Sequence, residues 1–143
     1  FLEGEAREKA LALASIIKEI GASGRPIHRP AALIVGGETT VTVKGAGRGG
    51  RNQEMILSLV GKIAEMRGVA VASIGTDGVD GSTDAAGAIA DGKNLSRALE
   101  MKLNPTEFLL NNDSYTFFSK INDLIFTGPT GTNVNDLFVA VLL

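Results

Sequence analysis

The alternation of short, continuously apolar runs with segments of helical periodicity constrains the fold of this chain most strongly. Residues 31–37 (AALIVGG), 69–78 (VAVASIGTDG) and 137–143 (LFVAVLL) have the composition of buried strands. Residues 3–21 and 52–66 instead repeat apolar positions at helical spacing. This pattern predicts an α/β domain, in which a mixed β-sheet is flanked by helices on both faces.

The shorter segments extend this prediction. TTVTVK alternates β-branched residues directly after the first apolar run, so the two are expected to form an antiparallel hairpin. We expect helical segments at 84–91, 94–102, 105–110 and 111–121, and a strand at 124–128. Asn94 is the expected N-cap of one helix, and Asp113 or Ser114 that of another.

The length, net charge and residue composition of the chain exclude several kinds of binding partner and catalytic site. A length of 143 residues suits one domain, and a net charge of −2 gives no reason to expect a nucleic-acid or membrane-surface partner. The absence of cysteine excludes disulfides, thiol catalysis and thiolate metal sites, and the single histidine, His28, cannot form a metal cluster alone. No apolar run reaches transmembrane length. The expected location is the cytoplasm.

Polar residues concentrate in four loops that adjoin the predicted strands and helices. Their sequences are GAGRGGRNQE (45–54), GTDGVDGSTDAAGA (75–88), NNDSY (111–115) and TGPTGTNVND (127–136). In open α/β sheets, ligands bind in the crevice outside the strand ends. The four loops therefore predict a binding site.

The first loop has the features of an anion site. Its four glycines allow backbone N–H groups to approach a ligand, and it leads into a helix N-terminus near Asn52. Arg48 and Arg51 add planar guanidinium groups suited to carboxylate or phosphate. The alternative is a flexible loop whose arginines are solvated. The loop has neither the Walker A pattern nor the Rossmann glycine spacing.

The second loop offers the carboxylates Asp77, Asp80 and Asp84. Such groups can hold Mg²⁺ through water or accept hydrogen bonds from substrate hydroxyls. Structural roles are the alternative, since Asp84 can cap a following helix and Asp80 can stabilise the turn around Gly81. The spacing does not match an EF-hand.

The remaining two loops are rich in amides and hydroxyls. Helix capping explains one or two of the polar residues at 111–114, but not all four. In the last loop, Asn133 is a candidate for recognising a carboxylate or hydroxyl. The alternative for Asn133 is a turn stabilised by side-chain hydrogen bonds to the backbone.

The four loop sequences, in this order, resemble the MOFRL domain. That domain is the C-terminal domain of class II glycerate kinases, proteins also labelled hydroxypyruvate reductases. The similarity extends from about Arg29 to the end of the chain. It implies an N-terminal linking helix and linker from a preceding domain at residues 1–28, and a MOFRL-type α/β domain at residues 29–143. Ser82 stands where similar proteins often have proline.

The resemblance implies transfer of the γ-phosphate of ATP to the 2-hydroxyl of D-glycerate, with Mg²⁺. ATP and Mg²⁺ would be bound mainly by a preceding N-terminal kinase domain that is absent from this chain, and the active site would lie between the domains. Arg51 matches the arginine of the family's G-R-G-G-R-N motif and is the expected catalytic residue. Asn133 matches the asparagine of the T-G-T-N motif and is expected to bind substrate.

Weaker assignments follow from loop chemistry and motif membership. Arg48, Asp77 and Asp80 are further expected substrate-binding residues, and no metal ligand is assigned in this chain. The resemblance also allows a homodimer. Because the kinase domain is missing, we expect the isolated chain to be inactive.

Two alternative functions stay open. The chain could be a free-standing domain that binds small anions or regulates without catalysis. It could also be part of a hydroxypyruvate reductase, but it carries no dinucleotide-binding fingerprint.

Overall fold

A computed structural model describes residues 1–143 as one six-stranded mixed sheet and five helices. The elements are β1 (Leu2–Glu5), α1 (Ala6–Ser23), β2 (Ala31–Thr40), α2 (Arg51–Val60), β3 (Val69–Gly75), β4 (Gly87–Asp91), α3 (Asn94–Glu100), α4 (Pro105–Leu110), α5 (Ser114–Ile121), β5 (Leu124–Ile125) and β6 (Asp136–Leu142). The order across the sheet is β1-β2-β6-β3-β4-β5. Only β1 and β2 pair in parallel. The predicted α/β class with a mixed sheet is confirmed.

The helices bury their apolar faces in one core. In α1 the buried residues recur at helical spacing, and the helix ends where Gly24 adopts φ 68° and donates its N–H to the carbonyl of Ile20. α2 packs against α1 and crosses β3 and β4, with Ile56 and Leu59 fully buried. Because α2 lies at the centre of the core, its N-terminus is held rigidly beside the strand ends.

The helices cover one face of the sheet, which differs from the expectation of helices on both faces. The strand residues in the core, such as Val71, Ala140 and Ala90, share one face by register. The opposite face carries aligned rows of apolar residues, for example Ile34, Val139, Ala72 and Ile89. Ile34 is 66% exposed there. Continuous apolar strands indicated burial on both faces, but the five helices all contribute to the same core.

The expected hairpin of residues 31–44 was wrong. Residues 31–40 form the single strand β2, which pairs with β6 on one side and β1 on the other. Gly36 and Gly37 lie within the strand and continue it, whereas the prediction placed a turn after them. Gly37 lies directly against the backbone of Leu2, where a Cβ would overlap that residue. The missing side chain therefore admits β1, a strand that the sequence did not indicate.

The helix expected at 84–91 was also wrong, because residues 87–91 form β4 and pair with β3. Gly87 sits so close to the carbonyl of Ser73 that no side chain would fit. The following helix, α3, begins at Asn94 itself, with Lys93 in the N-cap position. The Asn94 side chain instead accepts a hydrogen bond from the N–H of Asp91 at 2.8 Å.

Other elements agree with the sequence or differ in length. The strands β3 and β6 and the helices α4 and α5 lie close to where they were predicted. The strand β5 is shorter than the predicted 124–128, α1 begins at Ala6 and not at residue 3, and α2 ends at Val60, earlier than expected. Residues 1–28 share the core with the rest of the chain through α1, and their role as a linker stays a prediction. None of the helices is long and apolar enough to cross a membrane.

Candidate functional site

The glycine loop, defined as residues 45–50, lies against the loop at 111–114. Five consecutive backbone N–H groups, those of Lys44, Gly45, Ala46, Gly47 and Arg48, donate to Asn111, Asn112 and Asp113 at 2.7–3.1 Å. The N–H groups of Gly49 and Gly50 have no acceptor in the chain. Most of the backbone N–H groups that were expected to bind an anion therefore donate to protein atoms. Only those of Gly49 and Gly50 are left to bind a ligand.

The glycines permit this close contact between loops. A Cβ at Gly45 would overlap the backbone of Asn111, and a Cβ at Gly50 would overlap the carboxylate of Asp80. Neither glycine has a positive φ. The loop thus requires glycine for the absence of a side chain, and the space is filled by protein atoms.

Asp80 occupies the N-terminus of α2. Its Oδ1 accepts from the N–H of Asn52 at 3.0 Å, and its Oδ2 accepts from the N–H of Gln53 at 2.8 Å. The side chain is almost completely buried. Burial raises the pKa of the Asp80 carboxyl, and the hydrogen bonds from Gln53 and Asn52 oppose that rise. Asp80 therefore supplies the anion that a helix N-terminus favours, and its oxygens are already engaged.

Arg51, the first residue of α2, extends across the ends of the strands. Its Nε lies 2.7 Å from Oδ2 of Asp136, and its Nη2 donates to Oδ1 of the same residue at 3.1 Å. Its Nη1 donates to Oε1 of Glu38 at 3.1 Å. Burial alone lowers the pKa of Arg51, but the hydrogen bond and charge of Asp136, with those of Glu38, raise it overall. Arg51 is thus a permanent cation at this position.

The two partners of Arg51 differ in exposure. The side chain of Asp136 is 9% exposed, whereas that of Glu38 is 51% exposed. Asp136 also accepts a hydrogen bond from Nδ2 of Asn52 at 3.1 Å, which fixes the carboxylate further. The Asp136 pair therefore orients the guanidinium, while the Glu38 pair is a surface contact of low strength.

A cleft of about 710 Å³ opens between the glycine loop and the ends of β2 and β3. Of the predicted site residues, it brings together Arg51, Asp77 and Asp80. The other lining residues are Thr39, Thr40, Val41, Val43, Gly47, Gly49, Gly50, Glu54, Val79, Gly81, Ser82 and Asn112. The cleft is large enough for a small organic ligand.

Asn133 does not line the cleft but lies beside Asp77. Its Nδ2 approaches Oδ2 of Asp77 at 3.4 Å, and its Oδ1 accepts from the N–H of Asn135 at 3.0 Å. Asp77 Oδ1 accepts from the N–H of Val79 at 3.1 Å. The exposed Asn133 is therefore linked to the cleft through Asp77.

Arg48 also lies outside the cleft lining. Its guanidinium stacks over the ring of Tyr115, 4.4 Å from the ring centroid. The Tyr115 hydroxyl donates to Oδ1 of Asp84 at 2.7 Å. One alternative for Asp84 was that it caps a following helix, and the structure shows no helix there. Asp84 joins the second loop to the third.

Sequence reasoning missed Asp136, Glu54 and Asn112 as parts of this site. Glu54 is 2% exposed and accepts a hydrogen bond from Asn112 Nδ2 at 2.8 Å. Glu54 and Asp136 each stand within a quoted loop motif, at its last position. Glu54 follows Arg51 by three residues, so the two lie on the same face of a helix. That spacing was the available signal for Glu54.

The cleft carboxylates are the side chains of this chain that could contact Mg²⁺. Magnesium prefers oxygen ligands in near-octahedral geometry. Asp80 is engaged by Asn52 and Gln53, and no three acidic or histidine side chains are grouped to hold a metal ion. Asp77, which is half-buried, is the other predicted carboxylate that lines the cleft.

Comparison with known protein families gives a match that contains all four polar loops. The MOFRL family matches residues 31–136, which include every residue that lines the cleft and also Asn133. The chain belongs to the MOFRL family. This confirms the resemblance that the loop sequences indicated.

Relatives within this family include glycerate kinases. The D-glycerate 2-kinase of Thermotoga maritima is 51% identical over 99% of this chain and 34% of that protein. The glycerate 2-kinase of Pyrococcus horikoshii is 46% identical over 99% of this chain and 32% of that protein. A relative from Agrobacterium vitis, 44% identical over 95% of this chain, is named provisionally as a hydroxypyruvate reductase. The chain thus spans about a third of the length of these relatives.

A solved structure supports the fold. The crystal structure of the Thermotoga maritima glycerate kinase matches with a TM-score of 0.97 at 51% identity, over 99% of this chain and 34% of that one. This unit of the MOFRL family therefore occurs there within a protein about three times as long.

Proposed function

We propose that this chain is the C-terminal domain of a glycerate 2-kinase and contributes one wall of its active site. The reaction is ATP-dependent phosphorylation of D-glycerate to 2-phosphoglycerate. The relatives named glycerate 2-kinase, which match nearly the whole chain, support the reaction. Their greater length supports a second domain that completes the site.

The observation that carries this proposal is the position of Arg51 in the cleft. Phosphoryl transfer depends on positioning and on stabilising charge at the transferring group. Asp136 holds the Nε edge of the guanidinium, while Nη1 meets only the exposed Glu38. A substrate carboxylate or phosphoryl oxygen can replace that weak surface contact without moving the arginine.

The other predicted residues take distinct roles in this proposal. Asp77 accepts from a hydroxyl of D-glycerate, and Asn133 orients Asp77 or the substrate carboxylate. The free N–H groups of Gly49 and Gly50 offer two further donors at the cleft. Asp80 acts indirectly, because it fixes the N-terminus of α2 from which Arg51 extends.

Arg48 acts as a surface cation. It is exposed, and its stacking on Tyr115 keeps it near the rim of the cleft. ATP and Mg²⁺ are bound mainly by the part of the longer protein outside these residues. We place that protein in the cytoplasm, with a homodimer as a further proposal.

The experiment that tests this function is an assay of ATP-dependent phosphorylation of D-glycerate. It is run on the 143-residue chain and on the chain joined to its native preceding sequence, with the product identified as 2- or 3-phosphoglycerate. The proposal expects 2-phosphoglycerate from the longer protein only. If neither protein phosphorylates D-glycerate, the kinase assignment fails. Binding of glycerate by the short chain alone would then favour the anion-binding alternative.

A further inference from the structure

A buried network joins α1 to the glycine loop through Glu54. Oε1 of Glu54 accepts from Nε and Nη2 of Arg7 on α1, at 2.9 and 2.7 Å. Oε2 of Glu54 accepts from Nδ2 of Asn112 at 2.8 Å. Glu54 and Asn112 are 2% and 6% exposed, so both groups depend on these partners. The function proposed above gives neither residue a role.

The amide of Asn112 has a fixed orientation. Its Oδ1 accepts from the N–H of Lys44 at 2.7 Å and from that of Gly45 at 3.0 Å. Its Nδ2 must therefore face Glu54. A carboxylate at position 112 would instead place two acidic oxygens in contact within the protein interior, which is costly.

The network holds both ends of the segment that carries Arg51. Asn112 fixes the start of the glycine loop at Lys44 and Gly45, and Glu54 fixes the first turn of α2. Arg51 lies between these anchors, at the junction of loop and helix. A shift of either anchor moves the guanidinium relative to the cleft.

We propose that Glu54 and Asn112 are positioning residues for Arg51. Both residues line the cleft, but their side-chain oxygen and nitrogen atoms are hydrogen-bonded within the protein. They act by holding the glycine loop and α2 in one relative arrangement. The inference rests on the proposed function, in which Arg51 stabilises the transferring group. A displacement of about 1 Å in such a group can reduce turnover by about 100-fold.

The test compares two asparagine-to-aspartate changes in adjacent residues of the longer protein. Asn112→Asp removes the donor to Glu54, and it is expected to lower kcat by about 100-fold with little change in KM for D-glycerate or ATP. Asn111→Asp is the matched control. Its Oδ1 accepts from the N–H of Ala46 at 3.1 Å, and a carboxylate retains that acceptor. Its kcat should stay near wild type.

A compensating variant separates positioning from general damage. Glu54→Gln combined with Asn112→Asp exchanges amide and carboxylate, so the donor–acceptor pair forms again while the glutamine oxygen still accepts from Arg7. The double variant should recover about tenfold or more of the lost kcat. If the double variant is no faster than Asn112→Asp alone, or if Asn112→Asp matches Asn111→Asp, the proposal is wrong.

Amide hydrogen exchange provides a readout that needs no activity. In the 143-residue chain, Asn112→Asp should speed exchange at Lys44 and Gly45 by about tenfold, whereas Asn111→Asp should leave both unchanged. Retained protection at Val71 in the core strand β3 shows that the variant is folded. Unchanged exchange at Lys44 and Gly45 would overturn the proposed anchoring. Changed exchange in a longer protein that lacks kinase activity would place the error in the proposed function instead.

Discussion

Asp136 holds Arg51 along one edge of its guanidinium, with Nε 2.7 Å from Oδ2 and Nη2 3.1 Å from Oδ1. The two residues are 85 positions apart in the chain. Asp136 begins β6, which lies between β2 and β3 in the sheet. The arginine at the end of the glycine loop is therefore oriented by a central strand of the sheet.

Replacing the two acidic partners of Arg51 should have unequal effects. Asp136→Asn removes the charge of a buried partner, and we expect the free energy of unfolding to fall by about 1–2 kcal/mol, since Arg51 is partly exposed. Glu38→Gln removes an exposed partner and should change it by less than about 0.5 kcal/mol. Urea unfolding of both variants measures the difference.

The same pair of variants separates orientation from charge in the longer protein. If Asp136 orients Arg51 for catalysis, Asp136→Asn lowers kcat while Glu38→Gln does not. An equal loss of kcat in both variants would contradict the assignment of Asp136 as the orienting partner.

Gly50 should be far less tolerant of alanine than Gly61. The backbone at Gly50 has φ −150°, which any residue adopts, but a Cβ would overlap the carboxylate of Asp80. We expect Gly50→Ala to destabilise the fold by about 1–3 kcal/mol through this overlap. Gly61 lies at the other end of α2, where a Cβ would meet no other atom within 4 Å. Gly61→Ala should therefore be neutral or slightly stabilising.

Thermal unfolding of the two glycine variants decides between packing and flexibility as the reason for glycine at position 50. A Gly50→Ala protein as stable as wild type would show that the loop does not need the close approach to Asp80.

Tyr115 should titrate above the ordinary tyrosine value of 10.0. The hydrogen bond that its hydroxyl donates to Asp84 raises the pKa of Tyr115, and nearby Arg48 opposes the rise. Asp84→Asn should lower the pKa of Tyr115, while Arg48→Gln should raise it. The chain has one tyrosine and no tryptophan, so tyrosinate absorbance reports this residue alone.

The sign of the stability effect follows from the raised pKa. The neutral phenol is favoured in the folded chain, so the contribution of this hydrogen bond is present below the ordinary pKa of tyrosine. It is lost as the pH rises through the folded value. A Tyr115 pKa that does not respond to Asp84→Asn would contradict the hydrogen bond.

Sequence patterns predicted the parts of the fold that depend on local periodicity. The helices α1 and α2 and the strands β3 and β6 follow from apolar spacing alone. The predictions for segments 39–44 and 84–91 were wrong because strands far along the chain pair with these segments and determine their structure. The predicted hairpin placed a turn beside Gly37, and the predicted helix included Gly87. Each glycine instead lies within a strand where another backbone approaches closely.

The sequence predicted which residues lie at the site better than it predicted their hydrogen-bond partners. The loop motifs located Arg51, Asp77 and Asp80, which the fold brings to one cleft. They could not show that Asp80 fills the N-terminus of α2, or that Asn112 and Asp113 use the N–H groups of the glycine loop. Glycine-rich composition indicates close approach but not whether the approaching group is a ligand or the protein itself.

The most direct test of the central claim is the steady-state kinetics of Arg51→Ala in the longer protein, with D-glycerate and ATP as substrates. If Arg51 stabilises the transferring phosphoryl group or clamps the substrate carboxylate, kcat/KM for D-glycerate should fall by about 100- to 1,000-fold. The variant should fold normally, as checked by thermal unfolding. A folded Arg51→Ala protein with wild-type kcat/KM would contradict the account of this domain as a catalytic wall of a glycerate 2-kinase.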